Sequence, residues 1–238
     1  MNKVLVIVSH PDDEILGMGG TILKHFQKGD KIKIIFLATG ITSRRKSNYE
    51  NSSSYKKMDS EYGKMEKEIK KLRKNAKKAC EILGVKYLTF YDFPDNEMDS
   101  VSLLEVIKTI ENEIQIFKPD IVYTHHFGDL NIDHRITFNA TLTASRPYES
   151  SIKELICFEV PSSTEWNYPA TFNPNYFVNI EKQLKNKIKA MNAYVNESGN
   201  FPHPRSSKSL IAIAGKWGTT SGIKSAEAFE IIRKIDRS

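Results

Sequence analysis

Four short apolar runs occur in the first half of the chain, and each has the pattern of a β-strand. Residues 4–8 (VLVIV) are continuously apolar and mostly β-branched, which is typical of a strand buried on both faces of a parallel sheet. Residues 31–39 (KIKIIFLAT), 86–91 (KYLTFY) and 121–124 (IVYT) have the same character. Segments with helical spacing lie between them, so the pattern predicts repeated strand–helix–strand units.

The helical segments are recognised by their apolar spacing. From residue 60 to residue 83 the apolar positions step by three or four along an otherwise charged segment, which predicts a helix with one buried stripe. The stripe comprises Tyr62, Met65, Ile69, Leu72, Ala76 and Ala79. Residues 102–117 predict another helix, which ends before Pro119. Strand-like and helix-like pieces continue from residue 154 without a Gly/Ser linker.

We therefore expect residues 1–238 to form a single α/β domain of the Rossmann-like, three-layer type, with a mostly parallel central sheet. Three irregular segments follow predicted strands: residues 10–14 (HPDDE), residues 40–55, and residues 125–135 (HHFGDLNIDHR). Ligands of open α/β sheets bind beyond the carboxyl ends of the strands. The three segments are thus expected to converge on one crevice, which is the predicted functional site.

Composition and charge change this picture little. The chain has 238 residues, 39% of them hydrophobic, and 35 Lys+Arg against 29 Asp+Glu, which is the balance of an ordinary globular protein. The basic excess lies largely in residues 56–78, a predicted solvated helix face, and no nucleic-acid-binding motif accompanies it, so we expect no nucleic-acid partner. The first apolar run is too short for a signal peptide or a membrane span, and the two cysteines show no CxxC spacing. These features predict a cytoplasmic protein without a membrane segment.

The polar clusters have partly structural explanations. Acidic residues favour the first turn of a helix and proline its first position, which accounts for any one residue of segment 10–14. A dinucleotide-binding G-x-G-x-x-G motif starting at Gly17 would need glycine where Ile22 stands. Adjacent residues on a strand point to opposite faces, so at most one of His125 and His126 is expected to face the crevice.

Taken together, the two histidine-containing clusters can supply two imidazoles and a carboxylate. This is the ligand set of a catalytic zinc site that keeps one position open for water. It is also the ligand set of the non-haem Fe(II) oxygenases, whose folds are usually β-rich. A neighbouring carboxylate that does not bind the metal can take a proton from the water, and the adjacent pair Asp12 and Asp13 permits that division of labour.

Segment 9–14 (SHPDDE), with the distant pair at 133–134 (DH), resembles the LmbE/PIG-L family of zinc-dependent N-deacetylases. These enzymes hydrolyse the acetamide of N-acetylglucosamine-containing substrates and related compounds. Residues 161–166 (PSSTEW), 203–206 (HPRS) and 226–230 (AEAFE) also resemble the family's C-terminal pattern. The resemblance therefore extends over most of the chain.

Carried over by position, the resemblance implies that His10, Asp13 and His134 bind one Zn²⁺ per chain, with Fe²⁺ as the alternative metal, and that Asp12 is the general base. The better-known second motif of the family is His-Pro-Asp-His, whose first histidine is the general acid or transition-state stabiliser. This chain has Asn131 at that position, and an amide cannot donate a proton as an imidazolium can.

The general acid is accordingly open among three residues: Asp12 returning its own proton, His126 and His203. Asp133, the aspartate of the second motif, is expected to keep an orienting role in catalysis.

Three residues are candidates for binding the substrate. The family has a sugar-contacting arginine in the loop after the second strand, where this chain has Arg44 and Arg45, and we take Arg45 as the candidate. Asp95 lies in a segment that resembles the one whose aspartate holds sugar hydroxyls, although Asp-Asn is also ordinary turn chemistry. Arg205 suits a phosphate or carboxylate of the substrate, or equally a stabilised loop.

The predicted function is a zinc-dependent hydrolase that removes the N-acetyl group from an N-acetylglucosamine-type sugar or glycoconjugate, giving acetate and a free amine. One alternative is a non-catalytic crevice that binds a sugar or a nucleotide; another is an Fe(II) enzyme with the same ligands. The partner is thus an N-acetylated small molecule whose identity the residues leave open. Homo-oligomers are common in the family, which leaves a homo-oligomer open here.

Overall fold

A central seven-stranded sheet organises the computed structural model, which describes residues 1–44, 60–148 and 150–236. The strands are β1 (Lys3–Val8), β2 (Lys31–Ala38), β3 (Tyr87–Phe93), β4 (Ile121–His125), β5 (Glu154–Phe158), β6 (Tyr176–Asn179) and β7 (Ala226–Lys234). Their order across the sheet is β3-β2-β1-β4-β5-β7-β6. Strands β1 to β5 pair in parallel, whereas β7 is antiparallel to both of its neighbours.

Helices cover both faces of this sheet. They are α1 (Asp13–Gln27), α2 (Ser60–Ile82), α3 (Leu103–Phe117), α4 (Ile132–Ala144), α5 (Leu184–Met191) and α6 (Ser207–Ser221). One face packs against α1, α2, α5 and α6, and the other against α3 and α4. Strand β1 contributes alternate residues to the two cores, Val6 to the first and Ile7 to the second, and is buried throughout except at its first residue. The prediction of a three-layer α/β domain with a mostly parallel sheet is confirmed.

The predicted elements agree closely with the observed ones. The helix expected over residues 60–83 is α2, and its stripe residues Met65, Leu72, Ala76 and Ala79 are buried. The side chain of Tyr62 lies outside the described residues. No helix in the described parts of the chain combines the length and the apolar character that crossing a membrane requires.

Helix α1 is kinked at Met18, whose φ of −146° is not helical. The glycines beside the kink allow close packing: a Cβ at Gly17 would overlap the ring of Phe158, and one at Gly20 would lie 2.7 Å from Ile180. The glycine run therefore serves the contact between helix and sheet.

The kink frees backbone amides, and Glu227 of β7 binds them. Its carboxylate accepts hydrogen bonds from the amides of Gly20 and Thr21, at 2.9 and 2.6 Å. The buried Lys187 donates to Glu227 at 2.7 Å and to the carbonyl of Leu16 at 2.8 Å. An ion pair with satisfied hydrogen bonds thus ties α5 and β7 to the helix that follows the first motif.

The sheet order determines where the functional residues meet. The chain runs outward from β1 through β2 to β3 and then returns to the other side of β1 as β4. This reversal is a topological switch point, and the loops after β1 and β4 diverge there to leave a crevice at the carboxyl edge.

Candidate active site

Three donor atoms meet in the crevice between β1 and β4. His10 and Asp13 come from the loop after β1 and the first turn of α1, and His134 comes from the first turn of α4. His10 Nδ1 lies 3.3 Å from His134 Nε2, and each of these atoms lies 3.4 Å from Asp13 Oδ2. All three residues are buried, with 9%, 1% and 2% of their surfaces exposed. We refer to these three atoms as the donor triangle.

The donor triangle has the size and chemistry of a metal site. In a tetrahedral zinc site with bonds of about 2.0–2.1 Å, neighbouring donors lie about 3.3–3.4 Å apart. Two imidazole nitrogens and one carboxylate oxygen are ligands that zinc accepts, and three protein ligands leave a fourth position open. The residues therefore fit a catalytic zinc ion.

Electrostatics in the crevice also favour a cation there. Burial alone would lower the pKa of His10, but hydrogen bonds to surrounding carboxylates outweigh it and raise the pKa well above its ordinary value. The pKa of His134 is raised to about 9, because Asp13 and Asp129 outweigh its burial. Histidines in this site thus hold protons at neutral pH when no metal is bound. A metal ion would take the place of those protons in the field of the same carboxylates.

Two carboxylates orient His10 from behind. Its Nε2 lies 3.0 Å from Asp133 Oδ2 and 3.1 Å from Asp95 Oδ1, so these carboxylates hold a proton on Nε2, and Nδ1 is the nitrogen that could bind a metal once it has lost its own proton. Asp133 is fixed in turn by the amides of Asn96, at 2.6 Å, and Met98, at 3.0 Å. Asp133 therefore contacts His10 on the side of the ring away from the donor triangle.

His134 has its own supporting residues. Its Nδ1 lies 3.1 Å from Asp129 Oδ1, and the Asp129 carboxylate also accepts hydrogen bonds from Ser163 and Thr164. The ring of His125 stacks on that of His134 with centroids 3.9 Å apart. His125 Nε2 accepts the amide hydrogen of Ser9 at 2.8 Å, while burial lowers the pKa of this histidine to about 3. His125 is therefore a neutral packing residue behind the triangle.

His126 faces away from its neighbour His125. Its Nδ1 accepts a hydrogen bond from the amide of Gly128 at 3.0 Å, and its Nε2 lies 3.4 Å from Glu230 on β7. Its ring packs edge-on against Phe172. These contacts place it against the antiparallel end of the sheet, and burial lowers its pKa.

Asp12 stands apart from the donor triangle, in the turn that enters α1. Its φ of 117° lies in the left-handed region, which non-glycine residues rarely adopt and which functional sites often contain. Its Oδ2 accepts a hydrogen bond from Arg205 Nη1 at 2.6 Å. Burial raises the pKa of Asp12 to about 7, although the Arg205 guanidinium lowers it. The carboxyl group is therefore poised to gain and lose a proton near neutral pH.

A buried carboxyl group supports this unusual turn. Glu14 Oε2 accepts the amide hydrogen of Asp12 at 3.0 Å, and Glu14 Oε1 accepts the hydroxyl hydrogen of Tyr194 at 2.5 Å. Cys80 Sγ lies 3.7 Å from the same oxygen. Burial raises the pKa of Glu14 to about 8, which keeps it largely protonated in this apolar setting.

A polar cleft of about 150 Å³ opens beside Asp12. It is lined by His10, Pro11, Asp12, Gly40, Ser43, Arg44, Asp95, Asn96, Asn131, Glu197 and Arg205. Asn131 caps α4 by accepting the amide hydrogen of Asp133 at 2.8 Å, and its side-chain amide donates to Asn96 at 2.7 Å. Its side chain has hydrogen-bond partners on both sides and no proton to transfer.

Of the three predicted substrate-binding residues, Asp95 and Arg205 line the cleft. Arg45 lies outside the described residues. Asp95 lines the cleft, but its oxygens already bind His10 and Ser43, and the hydrogen bond to His10 outweighs burial to hold its pKa at about 2. Arg205 also lines the cleft, where it binds Asp12. His203 is exposed, and its Nδ1 accepts the amide hydrogen of Arg205 at 3.2 Å.

The contacts that four residues make in or beside the site were not predicted from the sequence. These residues are Glu14, Asp129, Tyr194 and Glu197. Glu14 and Asp129 belong to the two polar clusters and could have been found as buried carboxylates after a strand. Tyr194 and Glu197 follow α5 in a segment whose sequence carries no chemical motif.

Comparison with known proteins supports the family resemblance. Residues 5–145 match the PIG-L family model, described as GlcNAc-PI de-N-acetylase. The chain is 28% identical over 252 aligned residues to the diacetylchitobiose deacetylase of Thermococcus kodakarensis, covering 99% of this chain and 85% of the relative.

Solved structures show the same fold. The N,N'-diacetylchitobiose deacetylase of Pyrococcus horikoshii superposes with a TM-score of 0.73 at 21% identity, covering 98% of this chain and 84% of that one. GalB of Pseudomonas putida, a 4-carboxy-2-hydroxymuconate hydratase, gives 0.74 at 19% identity, covering 100% and 99%. The fold thus serves more than one reaction, and the function must be argued from the site. Because the family model covers more than half of the chain, the chain belongs to the PIG-L family.

Proposed function

We propose that the protein is a metal-dependent N-deacetylase that hydrolyses the acetamide of an N-acetylated amino sugar, releasing acetate and a free amine. The observation that carries the proposal is the donor triangle of His10, Asp13 and His134 beside the unligated carboxyl group of Asp12. The family match and the deacetylase named as a relative support the same reaction.

The triangle residues would hold one metal ion, and two imidazole nitrogens with one carboxylate oxygen are ligands that zinc accepts. When bound, zinc would lower the pKa of a water and polarise a carbonyl oxygen. Asp133 and Asp95 keep His10 in the tautomer that can bind, and Asp129 does the same for His134.

Asp12 is the proposed general base. Arg205 occupies its Oδ2, while no described residue donates a hydrogen bond to its Oδ1, so that oxygen is available to the attacking water. Its pKa of about 7 lets it accept the water's proton at neutral pH. It can then return that proton to the nitrogen as the amide C–N bond breaks.

We assign the general acid to Asp12 as well. Asn131 cannot donate the proton, and the described lining of the cleft beside Asp12 includes neither His126 nor His203. The assignment predicts that His203→Ala keeps most of the activity.

The substitution Asp12→Asn tests the proposal. It should leave metal content unchanged while slowing acetate release by at least about 100-fold, the usual scale of general acid–base catalysis. Asp92→Asn, which alters an exposed carboxylate on β3, is the matched control and should retain full activity. Activity of Asp12→Asn within a few-fold of wild type would remove Asp12 from both proton transfers.

The alternative, a non-catalytic crevice, predicts a different result for the wild-type protein: it would bind N-acetylglucosamine without releasing acetate.

We propose the cytoplasm as the compartment of the protein. Cys80 and Cys157 are buried free thiols, which suits a reducing environment.

A further inference from the structure

Two arginines of the cleft are already neutralised by the protein itself. Both carboxylate oxygens of Glu197 accept hydrogen bonds from Arg44 Nη2, at 2.8 and 2.7 Å. Glu197 Oε2 also lies 3.3 Å from Arg205 Nη1, which at the same time holds Asp12 at 2.6 Å. Glu197 is buried between the two guanidinium groups, whereas the Arg44 side chain is about half exposed, at 49%.

The pairing of Glu197 with the two arginines disfavours the binding of an anionic substrate group in the cleft. Each guanidinium group that lines the described part of the cleft already has a carboxylate partner there, Arg44 with Glu197 and Arg205 with Asp12. An anionic group entering the cleft would meet these carboxylates and would have to compete with Glu197 for Arg44. Sugar hydroxyls face no such penalty, because they can donate to the carboxylates and accept from the exposed Arg44.

We propose that Glu197 is the specificity-determining residue of the cleft and that it selects uncharged N-acetylated sugars against those carrying a phosphate or carboxylate group. The inference rests on the proposed deacetylase function and names its substrate class. Glu197 lies beyond residue 145, where the family match ends, so this selection belongs to the C-terminal part of the chain. It is achieved by repelling the wrong substrate as much as by binding the right one.

The test compares matched substrates in matched variants. The kcat/KM for N-acetylglucosamine and for its 1-phosphate and 6-phosphate is measured with the metal-loaded wild type, Glu197→Gln and Glu66→Gln. Wild type should prefer the uncharged sugar at least tenfold. Glu197→Gln should shift the ratio at least tenfold towards the phosphates, chiefly through a lower KM, because Arg44 and Arg205 lose a competing carboxylate.

Glu66 is an exposed glutamate on α2 that pairs with Lys70, so Glu66→Gln makes the same chemical change away from the cleft and should leave the ratio unaltered. Any disturbance of Asp12 through Arg205 affects the hydrolysis of both substrates and cancels in the ratio. An unchanged ratio in folded Glu197→Gln, or a wild type that prefers a phosphate, overturns the inference.

Binding provides a readout independent of turnover and of the variant's folding. Calorimetric titration of the metal-loaded wild type should show glucosamine 6-phosphate binding at least tenfold more weakly than glucosamine. Equal or tighter binding of the phosphate, or binding of neither, overturns the inference. The expected binding preference without release of acetate from any N-acetyl sugar would leave the charge selection standing and reject the deacetylase function alone.

Discussion

Arg205 is expected to set the pH at which the proposed base becomes active. Its Nη1 lies 2.6 Å from Asp12 Oδ2, and Asp12 is almost fully buried. Asp12 must be deprotonated to accept a proton, so activity should rise with pH through its pKa. Removing the guanidinium removes the charge that opposes the effect of burial, and the pKa of Asp12 should therefore rise.

The magnitude follows from the geometry. An adjacent arginine lowers the pKa of an aspartate by about 1–3 units, and the partial exposure of Arg205 favours about 1–2 units. From a pKa of about 7, Arg205→Gln would move Asp12 to about 8–9. The deprotonated fraction at pH 7 would fall from about one half to about 1–9%, a loss of about 5- to 50-fold in kcat/KM. A bound metal ion would lower the pKa in both proteins alike, which makes the loss at pH 7 smaller but leaves the separation between the two profiles at about 1–2 pH units.

The assay is the pH profile of kcat/KM for acetate release by wild type, Arg205→Gln, Arg205→Lys and Arg44→Gln. The acid limb of Arg205→Gln should lie about 1–2 pH units above that of wild type and its activity should recover at high pH. Arg205→Lys keeps the charge and should lie close to wild type, while Arg44→Gln removes an arginine that does not touch Asp12 and should shift little. Coincident limbs for Arg205→Gln and wild type would refute the reasoning.

Three further predictions concern the metal and the fold. Asp133→Asn removes the carboxylate behind His10 and should weaken zinc binding by about 10- to 100-fold in a competition titration with a chelator; unchanged affinity would contradict its orienting role. Zinc binding near pH 7 should release protons into a weakly buffered solution, because His10 and His134 are protonated in the metal-free site, and binding without proton release would contradict that protonation. Glu227→Gln should lower the free energy of unfolding by about 3 kcal/mol or more in urea, since it leaves Lys187 buried without its counter-ion, and a loss under 1 kcal/mol would show that the pair is dispensable.

Local patterns predicted the parallel strands β1 to β4 and a histidine–carboxylate cluster at their carboxyl ends, and the family resemblance then pointed to the three residues of the donor triangle. The apolar run of β1 is long enough and branched enough to be recognised alone, and α2 has a single stripe of buried residues. His10 and Asp13 are neighbours in sequence at the end of a strand, and parallel topology brings His134 to the same edge. For these three residues, the place in the sequence directly after a parallel strand, or at the start of the helix that follows one, was enough to predict the place in the fold.

Other parts of the site depend on contacts that no local pattern encodes. Arg205 and Asp12 are separated by 193 residues, and Arg44 and Glu197 by 153. The segment between α5 and α6 that brings Glu197 and Arg205 to the cleft has no periodicity of its own. The sequence therefore indicated a substrate-binding role for Arg205, whereas the structure shows its guanidinium on the carboxyl group of the proposed base.

Asp133, in the second motif at residues 131–134, is another residue whose contact could not be predicted from the local sequence. Its position predicted an orienting role, but the partner depends on how the first turn of α4 faces the loop after β1. The structure puts Asp133 3.0 Å from His10 and therefore behind a proposed metal ligand. The antiparallel insertion of β7 between β5 and β6 was likewise not predictable, because strand order is a tertiary property.

The central claim is that the donor triangle holds the metal on which N-deacetylation depends. The most direct test titrates metal-stripped wild type and His134→Ala with zinc while measuring bound metal and acetate release from N,N'-diacetylchitobiose and N-acetylglucosamine. Wild type should bind about one zinc ion per chain, with acetate release rising in proportion, and His134→Ala should bind no zinc and release no acetate. Acetate release that is independent of metal, or equal zinc binding by His134→Ala, would contradict the account.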